Sequence, residues 1–68
     1  MRRNLATMTL LSMEEENLSA DDMVTIMDFF HSNMSYADTY LVLADPQANS
    51  FIRRLWLRKR LEEAARQQ

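Results

Sequence analysis

The sequence predicts an all-α protein, a helical hairpin that forms a homodimer. Glycine is absent and only one proline occurs in 68 residues, which nearly excludes the positive-φ turns that close most tight hairpins of strands. Apolar residues make up 47% of the chain and charged residues 26%, a globular rather than a disordered composition. The apolar residues recur at helical spacing over most of the chain.

The need for a second copy follows from the size of the chain. A chain this short buries only about 60% of the surface that its unfolded form exposes, so its stability alone would be marginal. Small proteins usually add disulfides, a metal or oligomerisation. Cysteine is absent and there is one histidine, so disulfides are excluded and a structural zinc site is improbable. Oligomerisation is the remedy that remains, and the missing cysteines are compatible with a cytoplasmic protein.

The first predicted helix spans residues 20 to 44. Ser19 is a good N-cap, and Asp22 can complete a variant capping box. An apolar seam then repeats at spacings of three and four and passes through HSNMSYADTY without a phase slip, which favours one continuous helix with a kink still open near residues 32 to 35. This seam is the predicted dimer interface, and it consists of Met23, Met27, Phe30, Met34, Ala37 and Leu41.

The second predicted helix spans residues 46 to 65. Pro46 ends the first helix and suits the first position of the next, with Asp45 as the N-cap. Two apolar stripes lie on nearly opposite sides of this helix. The stripe expected to face the core comprises Ala48, Phe51, Ile52, Leu55 and Trp56, and the stripe left for another surface comprises Leu57, Leu61 and Ala64.

The predicted organisation is an N-terminal arm, residues 1 to 17, followed by a hairpin domain, residues 18 to 68. The spacing of Leu5, Met8 and Leu11 is weakly helical, and an extended or flexible arm stays open. Charge is divided unevenly. Residues 18 to 45 carry five aspartates and no lysine or arginine, whereas residues 46 to 68 carry six lysines or arginines and two glutamates. The two parts could attract each other or face different partners.

Catalytic, metal-binding and membrane-spanning functions have little support in the sequence. Asp28, His31, Ser32 and Ser35 are neighbours, but a nucleophile also needs an oxyanion site, and helix-interior N–H groups are already used. We therefore expect no enzyme activity, no cofactor and no metal. No run of 18 apolar residues occurs, so no transmembrane segment is expected. The N-terminal segment is a poor secretory signal, which favours the cytoplasm.

The run RRLWLRKR, residues 53 to 60, predicts a binding surface of some kind. Its five cations alternate with Leu55, Trp56 and Leu57, a composition that could bind phosphates. The cations are spread around the helix, however, and the chain has a net charge of −2. A small nucleic-acid-binding regulator that uses this basic helix is therefore the alternative hypothesis.

The main hypothesis is a non-enzymatic protein that occupies the surface of a partner protein. Excess apolar surface on a short hairpin, together with aromatic and arginine side chains, is typical of binding hot spots. The dimer seam and the partner-binding surface could exchange roles. The predicted partner-binding residues are Tyr40, Arg53, Arg54, Trp56, Leu57 and Leu61.

The segment ADDMVTIMDFFHSNMSYADTYLVLA followed by DPQANSFIRRLWLRKRLEEAA resembles a known group of proteins in size and layout over residues 18 to 66. It is similar to small phage-encoded proteins that bind and disable a bacterial host regulator, such as the anti-activators of quorum sensing of Pseudomonas phages. The resemblance implies a helical homodimer in the host cytoplasm that binds a LuxR-type transcription factor and blocks its DNA binding. It also implies a second host partner, the type IV pilus assembly ATPase. No functional residue is carried across from that family.

Overall fold

Four α-helices make up the computed structural model, which describes residues 2–67 and the side chains of residues 4–67. They are α1 (Arg2–Met13), α2 (Ala20–Ser32), α3 (Met34–Leu43) and α4 (Ser50–Arg66). No strand occurs within residues 2–67, so the predicted all-α class is confirmed there. Residues 1 and 68, which begin the predicted arm and end the predicted hairpin domain, lie outside the described residues.

All four helices enclose the core. α2 and α3 pack against each other, and α1 and α4 each pack against both of them. The chain measures 35 × 25 × 18 Å along its principal axes. The buried apolar side chains are Ala6, Leu10, Met23, Ile26, Phe30, Ala37, Tyr40, Ala44 and Leu57.

The N-terminal arm is helical in the structure, one of the three alternatives that the sequence left open. Ala6 and Leu10 on α1 are fully buried, and Met13 packs against the same core. The connection to α2 is a tight turn in which the N–H groups of Asn17 and Leu18 both donate to the carbonyl of Glu14. α1 therefore covers apolar surface that a two-helix hairpin would have left open, without a second copy of the chain.

The prediction of one helix over residues 20–44 is wrong, because the chain turns at Asn33. The backbone of Asn33 is extended (φ −148°, ψ 103°), and its N–H still donates to the carbonyl of Phe29 at the end of α2. Its side-chain oxygen accepts hydrogen bonds from the N–H of Ser35, at 3.0 Å, and from the hydroxyl of Ser35, at 2.6 Å. Asn and Ser compete with the helical backbone in this way, which makes them good caps and poor interior residues.

The seven-residue phase of the seam survives this turn. The buried residues of α2 and α3, and Ala44 just after α3, still follow one another at intervals of three, four or seven residues. Phase is kept because both helices point an apolar stripe at one core. Ile26 and Tyr40 are buried where the predicted seam had their neighbours Met27 and Leu41, and Met34 is 51% exposed.

The predicted start of the second helix at Pro46, with Asp45 as the N-cap, is also wrong. Asp45 instead closes a turn, in which its side-chain oxygen accepts from the N–H of Gln47 and its carbonyl accepts from the N–H of Ala48. Proline suits the second position of such a turn. Asn49 then caps α4, because its side-chain oxygen accepts from the N–H of Phe51 at 2.8 Å.

The orientation of α4 differs from the one predicted, although Trp56 of the predicted core stripe does pack against the core. Phe51 is 76% exposed and Leu55 is also exposed, whereas Leu57 is 1% exposed. The Leu57 side of the helix also carries Arg53, which has a buried partner in Glu14. The stripe that contains Phe51 has the larger apolar area, so apolar burial alone does not explain the observed orientation, and the contact between Arg53 and Glu14 is one interaction that favours it.

Candidate functional site

A polar cluster lies inside the core and joins three parts of the chain. Tyr40 on α3 donates a hydrogen bond from its hydroxyl to Oε2 of Glu14 at 2.9 Å. Nε of Arg53 on α4 lies 2.8 Å from the same oxygen. Asn17 Nδ2 donates to the other carboxylate oxygen of Glu14 at 3.2 Å. The carboxylate is thus fully enclosed, paired and hydrogen-bonded, as a buried charge requires.

This environment raises the pKa of the Tyr40 hydroxyl well above its ordinary value. Burial is the largest cause, since it disfavours the phenolate. The hydrogen bond to Glu14 and the negative charge of that carboxylate act in the same direction, and the positive charge of Arg53 opposes them. Tyr40 therefore stays a hydrogen-bond donor at neutral pH and serves the structure of the core.

An aromatic cluster occupies the side of the core between α3 and α4. The ring centroids of Tyr36 and Trp56 lie 6.0 Å apart, edge to face. The guanidinium of Arg60 lies over both rings, at 5.2 Å from the Tyr36 centroid and 5.3 Å from the Trp56 centroid. Glu63 accepts from the Tyr36 hydroxyl and lies 3.2 Å from Nε of Arg60. These side chains are engaged with one another within the chain.

The predicted partner-binding residues therefore do not form one surface. Tyr40, Arg53 and Leu57 are buried, and Trp56 is part of the aromatic cluster. Arg54 and Leu61, together with the buried Leu57, border an open groove.

That groove runs along α4 and has a volume of about 570 Å³. We call it the α4 groove. Leu57 and Glu14 also contribute to its lining, and Leu18 and Asn17 come from the connection between α1 and α2. Its apolar lining residues are Leu18, Phe51, Leu55 and Leu61, and we call its two basic lining residues, Arg54 and Arg58, the basic rim.

The rim of the α4 groove is basic. Arg54 and Arg58 are both exposed, and neither forms an ion pair with a carboxylate within the described part of the chain. Arg54 also borders a smaller hollow that Glu15 and Glu16 line, so its charge is partly offset there.

The predicted dimer seam is largely covered by the chain itself. Met23, Phe30 and Ala37 are buried in the core, and Met27 and Leu41 are partly buried against it. A second exposed apolar face lies on the outer side of α1, formed by Leu5, Met8 and Leu11. Dimerisation of this fold would have to use exposed side chains such as these. The homodimer stays a prediction.

The residues weighed for catalysis lie on both sides of the turn at Asn33. His31 and Ser32 are the last two residues of α2, Ser35 is the second residue of α3, and all three are exposed. Within residues 2–67, no three His, Asp or Glu side chains are placed to hold a metal ion together. In the same residues, no helix is both long enough and apolar enough to cross a membrane.

The chain matches no protein-family model, and comparisons with curated proteins and with solved structures found no significant match. Function must therefore be inferred from the geometry of the site.

The sequence prediction missed the site residues Glu14, Leu18, Phe51, Leu55 and Arg58. A signal for three of them was present, because Phe51, Leu55 and Arg58 recur at i, i+4 and i+7 along one side of a helix. No comparable signal marked Glu14, which follows α1 and acts through residues far along the chain.

Proposed function

We propose that this protein is a non-enzymatic protein-binding inhibitor, which uses the α4 groove to occupy the surface of a partner protein. The observation that carries the proposal is the exposure of Phe51 and Leu55 on α4 beside two arginines without ion-pair partners in the described residues. Exposed apolar surface rimmed by polar groups is typical of protein interaction sites.

The groove offers anchors of the kinds that contribute most to binding. Fully burying a Phe or Leu side chain is worth roughly 1.5–3 kcal/mol, and arginine and aromatic side chains are enriched in hot spots. Arg54 and Arg58 select the partner by charge, since a basic rim complements an acidic one. The expected partner surface therefore combines apolar side chains with acidic ones.

The class of partner comes from the resemblance described above. It makes a LuxR-type transcription factor in the host cytoplasm the first candidate and the type IV pilus assembly ATPase the second. In this proposal, binding blocks the regulator's access to DNA, and the inhibitor acts as a homodimer. No chemistry is required of the inhibitor beyond occupying that surface.

The nucleic-acid alternative is less favoured because the basic run is partly used inside the chain. Arg53 is buried against Glu14, and Arg60 lies over the aromatic cluster. Trp56 packs edge to face on Tyr36, so its ring is not an open stacking platform. Arg54, Arg58 and Lys59 remain, which is a small electrostatic footprint for phosphate binding.

The test compares two variants that both place glutamates on exposed apolar positions. The double variant Phe51→Glu/Leu55→Glu alters the α4 groove, and Val42→Glu alters α3, where Val42 is 70% exposed. Each tagged protein captures partners from nuclease-treated bacterial lysate at moderate salt. A retained protein is then purified, its binding is titrated by calorimetry, and a LuxR-type regulator is assayed for release from its DNA site.

The proposal expects a purified partner that binds wild type and Val42→Glu equally and loses at least tenfold in affinity for the double variant. A partner that binds all three chains equally would contradict it. Retention of nucleic acid from lysate without nuclease, with an affinity for that nucleic acid that falls steeply between low and moderate salt, would favour the nucleic-acid-binding alternative.

A further inference from the structure

We infer that the element recognised by the α4 groove is an acidic amphipathic helix of about three turns. This inference rests on the proposed function, since it concerns the same groove. It adds the secondary structure of the partner segment and the spacing of its charges.

The dimensions of the groove suit one short helix. Its apolar wall extends along α4 from Phe51 to Leu61, which at 1.5 Å per residue is about 15 Å. A helix of about ten residues has the same length and presents anchors at i, i+3 or i+4, and i+7. Leu18, on the connection between α1 and α2, forms the opposite side and holds such a helix against α4.

The groove offers no means of pairing with an extended peptide. Adding a strand requires the open edge of a sheet, and no strand occurs within residues 2–67. The backbone along the α4 wall is helical, so its N–H and C=O groups are already paired. A proline-rich segment needs an aromatic-lined groove, and among the described residues Phe51 is the one aromatic side chain that lines this groove. Helix-in-groove binding is the mode that remains.

The charges specify the sign and spacing of the partner's side chains. Arg54 and Arg58 lie four residues apart on α4, so they stand one turn apart on the rim. Two carboxylates one turn apart on a partner helix would face them. The arginine side chain can hold a carboxylate by two parallel hydrogen bonds, which fixes orientation as well as charge.

A second copy of the chain that presented its α4 or its α2 would fit this groove less well. If its α4 lay across the first α4, the arginine pairs of both copies would be brought together around Leu55. α2 is acidic through Asp21 and Asp28, but Val24 is the one large apolar side chain on its exposed surface. An α2 helix from another copy would therefore leave most of the apolar wall uncovered.

The experiment uses a panel of fluorescein-labelled helical peptides of about 14 residues, long enough for the three turns. Each carries three apolar anchors at i, i+4 and i+7, with leucine, isoleucine and phenylalanine varied among them. Each exists in three forms that differ only in two rim positions one turn apart, which hold glutamate, glutamine or lysine. Binding to the full chain is measured by fluorescence anisotropy at low and moderate salt.

Wild type should bind its best glutamate peptide about tenfold or more tightly than the matched lysine peptide, with a smaller difference at moderate salt. Arg54→Glu/Arg58→Glu should reverse that preference. Lys59→Glu, which changes a nearby exposed charge outside the groove, should keep it. Leu55→Glu should remove binding of the whole panel. Circular dichroism confirms that each variant is folded.

The inference is overturned if glutamate and lysine peptides bind equally, if no peptide binds, or if the double arginine variant keeps the wild-type preference. Self-association through Phe51 and Leu55 that excludes the peptides would also overturn it, because the occupant would then be a second copy. These failures differ from failure of the proposed function. A purified partner that depends on Phe51 and Leu55 while the panel fails would leave the function standing with a different binding element.

Discussion

Arg53 and Glu14 form an ion pair inside the protein, with Nε of Arg53 2.8 Å from Oε2 of Glu14. The two side chains are 9% and 0% exposed. Tyr40 donates to the same carboxylate oxygen, so one carboxylate joins the end of α1 to α3 and to the first turn of α4. A buried charge that loses its partner costs far more than the pair itself contributes.

Glu14→Gln is expected to lower the free energy of unfolding by about 3–5 kcal/mol, because Arg53 is left buried without a counter-charge. A domain of this size has a total stability of about 0.05–0.15 kcal/mol per residue, so the variant should lose a large share of that total. Urea unfolding followed by circular dichroism measures the loss. Glu15→Gln, at an exposed neighbouring carboxylate, is the control and should change little.

The triple replacement Glu14→Leu/Arg53→Met/Tyr40→Phe removes both charges together with the hydroxyl that donates to Glu14, and should recover most of the stability. A loss below about 1 kcal/mol for Glu14→Gln alone would mean that the ion pair is not enclosed as described.

Stability should fall at alkaline pH because of Tyr40. Its pKa is raised in the folded protein, so the unfolded chain loses this proton first. The contribution is fully present below the ordinary tyrosine pKa of about 10 and is lost as pH rises from there toward the raised value. Urea midpoints measured from neutral to strongly alkaline pH should show this decline.

Tyr40→Phe supplies the comparison for the pH series. It removes a hydrogen bond to a charged group and should cost about 1.5–3 kcal/mol at neutral pH. Its midpoint should then depend less on alkaline pH than that of Tyr36→Phe, which keeps Tyr40. Equal declines in the two variants would assign the alkaline loss to other groups.

The turn at Asn33 should depend on its side-chain cap. Asn33→Ala removes the acceptor for the Ser35 N–H and should lower stability by about 1 kcal/mol. Asn33→Asp keeps an acceptor and should cost less. Urea unfolding measures both. If alanine raised the stability and the helix content together, residues 20 to 43 would prefer the continuous helix that their apolar spacing predicts.

The two faces of α4 should respond differently to truncation. Leu57→Ala should cost about 2–5 kcal/mol, because it leaves a cavity in the core. Leu55→Ala should cost much less, since Leu55 is exposed. Both changes lie on the same helix and remove the same atoms, so helix propensity cancels in the comparison. Similar losses in the two urea curves would reverse the assignment of core and groove faces.

Local signals predicted several elements correctly. Ser19 caps α2, where its Oγ accepts from the N–H of Asp22 at 3.1 Å, and the capping pattern in the sequence indicates that start. The two apolar faces of α4 were also evident from spacing. Spacing did not show which of those faces lies against the core, because Phe51, Leu55 and Leu57 are similar in hydrophobicity. The partner of Arg53 is also far from it in the sequence.

The remaining differences arise because spacing shows which residues share a face and does not show what packs against that face. Preserved phase through Asn33 indicates that both flanking segments face one core, and it does not distinguish a straight helix from two helices joined by a capped turn. Residues 2 to 13 have a weak pattern because α1 is apolar on its inner and outer sides. The groove could not be predicted for the same reason, since it exists only once α1 has closed the other side of the core.

The aromatic cluster gives the protein an optical signal of its own folding. The chain has one tryptophan and two tyrosines, and the centroid of the Trp56 ring lies 6.0 Å from that of Tyr36 and 6.4 Å from that of Tyr40. At these distances, light absorbed by either phenol in the native state passes to the indole and emerges as tryptophan fluorescence. Unfolding separates the rings, and tyrosine emission returns. Trp56 lies outside the α4 groove, so the same signal distinguishes a variant that has lost its fold from one that has lost only its binding surface.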